Sequence, residues 1–236
     1  MIHNLRTNTW IMTQTWNHLL FMHIPVPQEE LRGQIPNGLE LDTYDGEAWI
    51  SIIPFKIKHM RLPFTPPLPL LHSSLELNVR TYVKRNGETG VYFFSLDTNQ
   101  LLTVLGGRLL SAPYRYATIR MSRRHEWIYF ETKRKGKPHI GFTGKYRSVS
   151  RKYKPDTGSL AYWLVERYIF WTERDGSLYR GAIDHEPWEL YDAEAIFSKQ
   201  AMLPDFLKQV TAHRPVFHYA KKKKVYTYQV KKVEEI

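Results

Sequence analysis

The sequence predicts an α+β protein that is mostly antiparallel β-strand, with few and short helices. Three observations carry that prediction. Asp45-Gly46, Asn86-Gly87 and Asp175-Gly176 each separate two β-rich runs, and an Asx-Gly pair in that setting is the strongest short hairpin signal because both residues reach positive φ at little cost. The flanking runs are long, and the second pair includes an alternating polar and aliphatic strand. Helical spacing is confined to short stretches, so the crossover helices that a parallel sheet requires are missing.

Taken in order, residues 39–44 and 47–58 flank the first turn, Leu75–Arg85 and Val91–Asp97 the second, and Tyr168–Arg174 and Ser177–Ile183 the third. Pro27–Ile35 fits a short helix, with Leu31 and Ile35 four apart and Pro36-Asn37-Gly38 to stop it. Thr98–Ser111 puts Leu101, Leu102, Leu105 and Leu109 on helical spacing behind an Asp97 or Thr98 cap. Gly106-Gly107 weakens that helix by about 1–2 kcal/mol relative to alanine, which implies that another backbone passes closely. Ser159–Arg167 opens on a Ser cap, and Ser198–Val210 reads as a helix broken by Pro204. Four prolines between Met60 and Ser74 make a stiff, extended loop, either a crossover between sheets or a rim over a site.

The 236 residues, 42% apolar and 24% charged, suit one domain over 1–236, with its core at about 10–220 and a basic tail at 221–236. The absence of cysteine excludes disulfides, thiolate nucleophiles, zinc ribbons and cysteine-held iron–sulfur clusters. No apolar run is long enough to span a membrane. His18 and His23 interrupt the one near the N-terminus, so no signal peptide is read and a cytoplasmic location is expected.

The net charge of +11 is concentrated. Twelve Lys and Arg lie between Arg120 and Lys154 against only Glu126 and Glu131. That concentration allows an anionic partner, nucleic acid included. The plain reading is the solvated outer face of β-hairpins, since no helix-turn-helix, RNA-recognition or zinc-finger pattern accompanies the charge.

Other chemistry-bearing patterns fail on spacing. His185-Glu186-Pro187-Trp188 lacks the second histidine of a zinc-protease motif, and Pro187 breaks the helix such a motif needs. Gly106-Gly107-Arg108 lacks the third glycine of a dinucleotide loop and the lysine-Ser/Thr ending of a phosphate loop. No Gly-x-Ser-x-Gly occurs. No cofactor and no metal site are expected.

The informative segment is Leu75–Val83. Alternation along a strand places Glu76, Asn78 and Arg80 on one face and Leu75, Leu77, Val79 and Thr81 on the other. With the aliphatic face on the core, the polar row faces water or lines a cavity. Glu76 and Arg80 are four apart, roughly 13 Å along the strand, and cannot pair with each other. Buried, each needs a partner from elsewhere.

A run of motifs resembles the YqjF-like family of bacterial proteins: Trp16 with Leu20–Pro27, Leu39–Gly46 with Pro54-Phe55, Glu76–Tyr82, Tyr92–Asp97, Leu178–Gly181, and His185-x-Pro187-Trp188. The resemblance covers about residues 10–220. It implies a fold similar to acetoacetate decarboxylase, a closed, cone-like barrel of antiparallel strands with a polar interior. In that enzyme a lysine pair follows a glycine-arginine motif and a proline, and a neighbouring strand supplies a glutamate. Arg108 matches the motif arginine and Glu76 the glutamate, while Tyr114-Arg115 stand where the lysines would be, with spacing one residue shorter. Neither residue is an amine, so Schiff-base chemistry does not carry over.

Two readings follow. The first is an internal site for a small organic carboxylate or other anion, with Glu76 and Tyr114 as the candidate catalytic acid/base and donor and Asn78, Arg80, Arg108 and Arg115 as candidate ligand-binding residues. The second is a non-enzymatic module whose basic hairpins, 120–154, engage an anionic polymer or surface.

Overall fold

A computed structural model of the chain describes residues 9–67, 73–109, 112–204, 207 and 215–233; the side chains of 108 and 109 lie outside the described set. The first half holds β1 (Met12–Val26), α1 (Gln28–Arg32), β2 (Glu40–Leu41), β3 (Ala48–Arg61), β4 (Ser73–Arg85), β5 (Glu88–Thr98), α2 (Leu101–Leu109) and β6 (Tyr114–Arg124). The second half holds β7 (Trp127–Arg134), β8 (Lys137–Ser148), α3 (Leu160–Val165), β9 (Ile169–Arg174), β10 (Ser177–Asp184), β11 (Tyr191–Gln200), β12 (Val216–Thr227) and β13 (Lys231–Lys232). None of the described helices is long and apolar enough to cross a membrane.

The strands close into a nine-stranded barrel: β5, β6, β7, β8, β11, β12, β1, β3, β4 and back to β5. Pairing is antiparallel except where β5 meets β6 and β9. β5 forks, its first half pairing with β9 and its end with β6. β12 forks likewise between β11 and β10. The two forks create a second ring through β9 and β10 that shares β12, β1, β3, β4 and β5 with the first.

Of the shared strands, β1 and β3 are buried on both faces over most of their length, and their sequences record it. On β1, Leu20, Met22 and Ile24 enter the core of the nine-stranded ring, whereas Leu19 and Phe21 enter the other. On β3, Ile50 and Ile52 oppose Ile53, Phe55 and Ile57 in the same way. Such strands read as continuous apolar runs rather than as alternation. β4 differs: Leu77 and Val79, fully buried, fill the first core, and its polar row faces the second ring.

The Asn86-Gly87 and Asp175-Gly176 turns join β4 to β5 and β9 to β10 as expected, with φ of 50° and 79° and of 51° and 71°. The Asp45-Gly46 turn forms too, but only Tyr44 and Glu47 bridge across it, and β2 pairs with β4 instead of β3. The expected helix at Ser198–Val210 is corrected at its start, where residues 198–200 end β11; much of the remainder lies outside the described residues. The segment from 221, expected as a basic tail, is the second half of β12 paired with β1. There Lys223 turns inward and donates to the Pro187 carbonyl at 2.7 Å, while Lys222 and Lys224 stay exposed.

Candidate functional site

A cavity of about 160 Å³ lies inside the second ring. β4 contributes Glu76, Asn78 and Arg80, and Gly107, Ala112 and Tyr114 also line it, Tyr114 beside Glu76. Arg167 and His185 come from the connections on either side of β9 and β10, and Trp16, Phe21, Phe55, Phe93, Phe170 and Trp188 supply an aromatic lining. A register shift at Val79/Arg80 in the β4–β5 pairing bends the strand where Arg80 enters, a common use of a bulge beside a site.

Glu76 is 3% exposed and has no cation within salt-bridge reach among the described residues. Burial pushes its carboxyl up to about 8, opposed by a long hydrogen bond of 3.4 Å from the Tyr114 hydroxyl. At neutral pH it is therefore mostly a carboxylic acid. Burial, and then the neighbouring Glu76, lift the Tyr114 phenol well above its usual range, so it stays a donor. Tyr114 packs its ring against Gly107, where a Cβ would lie 2.1 Å from the ring. The glycine pair thus makes room for a side chain at Gly107 and for nothing at Gly106, in place of the close backbone expected from the sequence.

Arg80 keeps some accessible surface although protein encloses it, so the surface it keeps faces the cavity. Its guanidinium lies 5.9 Å from the Tyr82 ring and donates weakly to the Leu164 carbonyl at 3.4 Å, and Nε has no partner. No carboxylate pairs with it among the described residues. Burial pulls its pKa down, yet a guanidinium remains charged. The Asn78 side-chain oxygen is also buried without a partner.

Sequence reasoning missed Arg167 and His185 as site residues. Arg167 is locked: Nη1 pairs with Asp42 at 2.7 Å, Nε donates to the Trp163 carbonyl at 2.7 Å, and Trp163 and Tyr82 stack beside it. His185 shares Nδ1 with the Glu186 carbonyl at 2.8 Å, which places the proton on Nδ1 and leaves Nε2 an unpartnered acceptor. Burial takes its pKa down to about 4, so it is neutral. Arg167 ends the expected helix Ser159–Arg167 and His185 belongs to the His185-x-Pro187-Trp188 motif, but neither pattern says that the side chain reaches a cavity.

Tyr82, whose ring the guanidiniums of Arg80 and Arg167 approach at 5.9 and 5.3 Å, is fixed by a fully buried network in which its hydroxyl meets Ser51 Oγ at 2.6 Å and His23 Nδ1 at 3.1 Å. The Ser51–His23 contact of 2.7 Å has the residue types of a nucleophile and its base. None of the three lines the cavity, so the network holds the ring rather than meeting a ligand.

Of the remaining expected site residues, Arg115 is exposed and does not line the cavity, consistent with alternation after Tyr114 on β6. Arg108 belongs to α2, and its side chain lies outside the described residues. Among the basic hairpins, Lys133, Arg134, Arg147 and Lys152 are engaged by Glu131, Asp97, Glu126 with Glu194, and Glu189. Lys145 and Arg147 flank Trp127 at 4.4 and 4.7 Å. Four of the twelve basic side chains from Arg120 to Lys154 are thus held by carboxylates of the same chain.

The closed barrel with this interior defines a protein of acetoacetate decarboxylase-like fold. MppR, an enduracididine biosynthesis enzyme complexed with pyruvate, superposes with a TM-score of 0.69 at 10% identity, covering 96% of this chain and 91% of its own. Acetoacetate decarboxylase from Legionella pneumophila gives 0.65 at 13% identity, over 97% and 89%. An acetoacetate decarboxylase-like enzyme from Sphingomonas wittichii RW1 gives 0.64 at 11% identity, over 97% and 95%. Residues 13–224 match the profile of the family DUF2071, "Uncharacterized conserved protein". The chain belongs to that family. It is 41% identical over 224 residues to "Uncharacterized protein YqjF" of Bacillus subtilis (strain 168), covering 94% of this chain and 93% of the relative.

Proposed function

We propose that the cavity binds a small organic anion, a carboxylate above all, through Arg80, with Glu76 as a neutral acid or hydrogen-bond donor and Tyr114 as a second donor. The observation that carries this reading is an enclosed guanidinium with no carboxylate beside it. Burying an unpaired charge costs several kcal/mol, and a fold keeps such a group where a ligand supplies the counter-charge. The pyruvate complex of MppR, a protein of like fold, adds support from a second direction. Tyr114 and Arg115 offer no amine where the decarboxylase fold carries its lysines, so the chemistry proposed is acid–base or simple binding rather than Schiff-base formation.

The test is thermal denaturation with pyruvate, acetoacetate, hexanoate and phenylacetate at millimolar concentration, on the natural protein and on Arg80→Met. A ligand that binds only the folded state raises the melting temperature. Arg80→Met should raise the ligand-free melting temperature, because it removes a desolvated charge, and should abolish the rise caused by carboxylates. A structural arginine would behave in the opposite way, with Arg80→Met less stable and any carboxylate response intact. That result would refute the proposal.

A further inference from the structure

We infer that one end of the molecule is a docking surface for an anionic lipid bilayer. Lysines on β3 and β12 meet the headgroups, and a hydrogen-bonded turn carrying Phe64, with the leucines of α2, enters the interface. These residues are distinct from the polar groups of the cavity and from the basic hairpins at 120–154.

Strand register fixes the lysines as an array. Asn17 on β1 lies opposite Lys56 on one side and Lys222 on the other, and Thr15 lies opposite Lys58 and Lys224. Residues opposed in this way project from the same face of a sheet. The four lysines therefore stand roughly 7 Å apart along each strand and roughly 10 Å apart across β1. Lys222 and Lys224 are exposed and Lys56 and Lys58 half-buried. No carboxylate forms a salt bridge with any of them among the described residues. Arg61, also exposed, ends β3 opposite Thr13.

The apolar element follows directly on β3. Thr65 closes a turn on Leu62: its hydroxyl donates to the Leu62 carbonyl at 3.1 Å and accepts from the Leu62 amide at 3.2 Å, and its own amide donates to that carbonyl at 3.3 Å. Within that turn Phe64 has a φ of 59° and a fully exposed side chain, and Leu62 beside it is exposed too. Single apolar side chains in water are ordinary, but a phenyl ring held out on a bonded turn at left-handed φ is not. α2 starts one strand away. Lys58 pairs with Ser73, whose carbonyl accepts from the Gln100 side chain at 3.3 Å. Asn99 and Leu75 exchange two further bonds, of 2.9 and 3.3 Å. The helix then carries Leu101, Leu102 and Leu105, each about half exposed, and no acidic residue.

Exposed apolar side chains gathered at one end mark an interaction surface, and the lysines select the partner. A nucleic acid would meet the lysines but gives the leucines and Phe64 nothing apolar to enter. A second copy of this chain, docked face to face, would set one lysine array against another. An anionic bilayer matches both features, with headgroups for the lysines and the acyl boundary for the phenyl ring and leucines.

Flotation with vesicles of phosphatidylcholine alone, or of equal parts phosphatidylcholine and phosphatidylglycerol, tests the surface. The natural protein should bind the mixed vesicles at least roughly 10-fold more tightly, since each lysine near an anionic surface is worth roughly fivefold. Lys222→Gln with Lys224→Gln should weaken that binding by roughly 10- to 30-fold. Phe64→Ser should weaken it by roughly 10-fold, and it removes a side chain that is fully exposed, so the fold is not at stake. Because the chain has no cysteine, Phe64→Cys and Glu47→Cys each accept one environment-sensitive fluorophore. The label at 64 should brighten on mixed vesicles, and the label at 47, exposed beyond the other end of β3, should not. A natural protein that stays in buffer with mixed vesicles present overturns the proposal. So does flotation unchanged by Phe64→Ser with no brightening at 64, which would make the contact one of charge alone and point to a nucleic acid. Self-association in light scattering that Phe64→Ser abolishes and mixed vesicles leave intact would make a second copy the occupant and overturn it as well.

Discussion

Replacing Glu76 with glutamine should make the protein's stability less dependent on pH, by an amount the structure supplies. The native carboxyl titrates at about 8 because it is buried, against 4.5 for an ordinary glutamate. In the unfolded chain it ionises freely from 4.5 upward. Between those two values the native state holds a proton that the unfolded state has lost, so stability falls as pH rises and levels off above about 8. At ~1.36 kcal/mol per pH unit the full fall is about 5 kcal/mol, and at 3% exposure solvent screening takes little away. Glu76→Gln keeps the shape and an acceptor for Tyr114 but has nothing to titrate. Urea unfolding of both proteins from pH 5 to pH 9 isolates this contribution, since distant titrations are shared and cancel. The variant should gain on the natural protein steadily with pH, by a few kcal/mol at pH 8.5 compared with pH 5. Parallel pH profiles would mean that Glu76 is ionised and compensated in the native state, and the assignment of a neutral acid to the cavity would be refuted.

Two further outcomes test the packing around the site. Gly107→Ala drives a Cβ to 2.1 Å from the Tyr114 ring and should cost about 1–3 kcal/mol, with altered tyrosine fluorescence. Gly106→Ala meets nothing within 4 Å and should be neutral or stabilise the helix by about 0.5–1 kcal/mol; equal effects at the two positions would contradict the packing described. Arg134 closes on Asp97 through contacts of 2.7 and 3.0 Å, and Asp97 is fully buried. Arg134→Ala should therefore cost about 3–5 kcal/mol in urea titration, with much of it recovered on adding Asp97→Asn; a loss below about 1 kcal/mol would place the pair in solvent.

Local chemistry made part of this molecule legible. Asx-Gly turns depend on two residues and their φ, so Asn86-Gly87 and Asp175-Gly176 could be read directly, and the period of two on β4 placed Glu76, Asn78 and Arg80 on one face. The Asp45-Gly46 turn shows where such reading stops: the turn forms, but strand pairing is a long-range choice, and β2 found β4. Arg167 and His185 could not be assigned to the site for a related reason. They reach the cavity because β9 and β10 close a second ring, a consequence of β5 and β12 each forking, and a fork has no local sequence pattern. The run Lys221–Lys224 misled because its net charge suggests a tail, while alternation puts Lys223 inside a strand.

The two-faced character of β4 bears on how the chain finds this fold. A strand buried on both sides has no wet face to tell it which way round to sit, and β1 and β3 are nearly as greasy on one side as on the other. A slip of one residue in β4 would drive Glu76, Asn78 and Arg80 into the aliphatic core and bring Leu77 and Val79 to the cavity. Each misplaced polar group would cost several kcal/mol. The three residues that line the cavity thus also act as a registration mark for the strand that carries them. Replacing all three with aliphatics would relieve their burial costs and erase the mark, leaving two alignments of β4 to compete for one barrel.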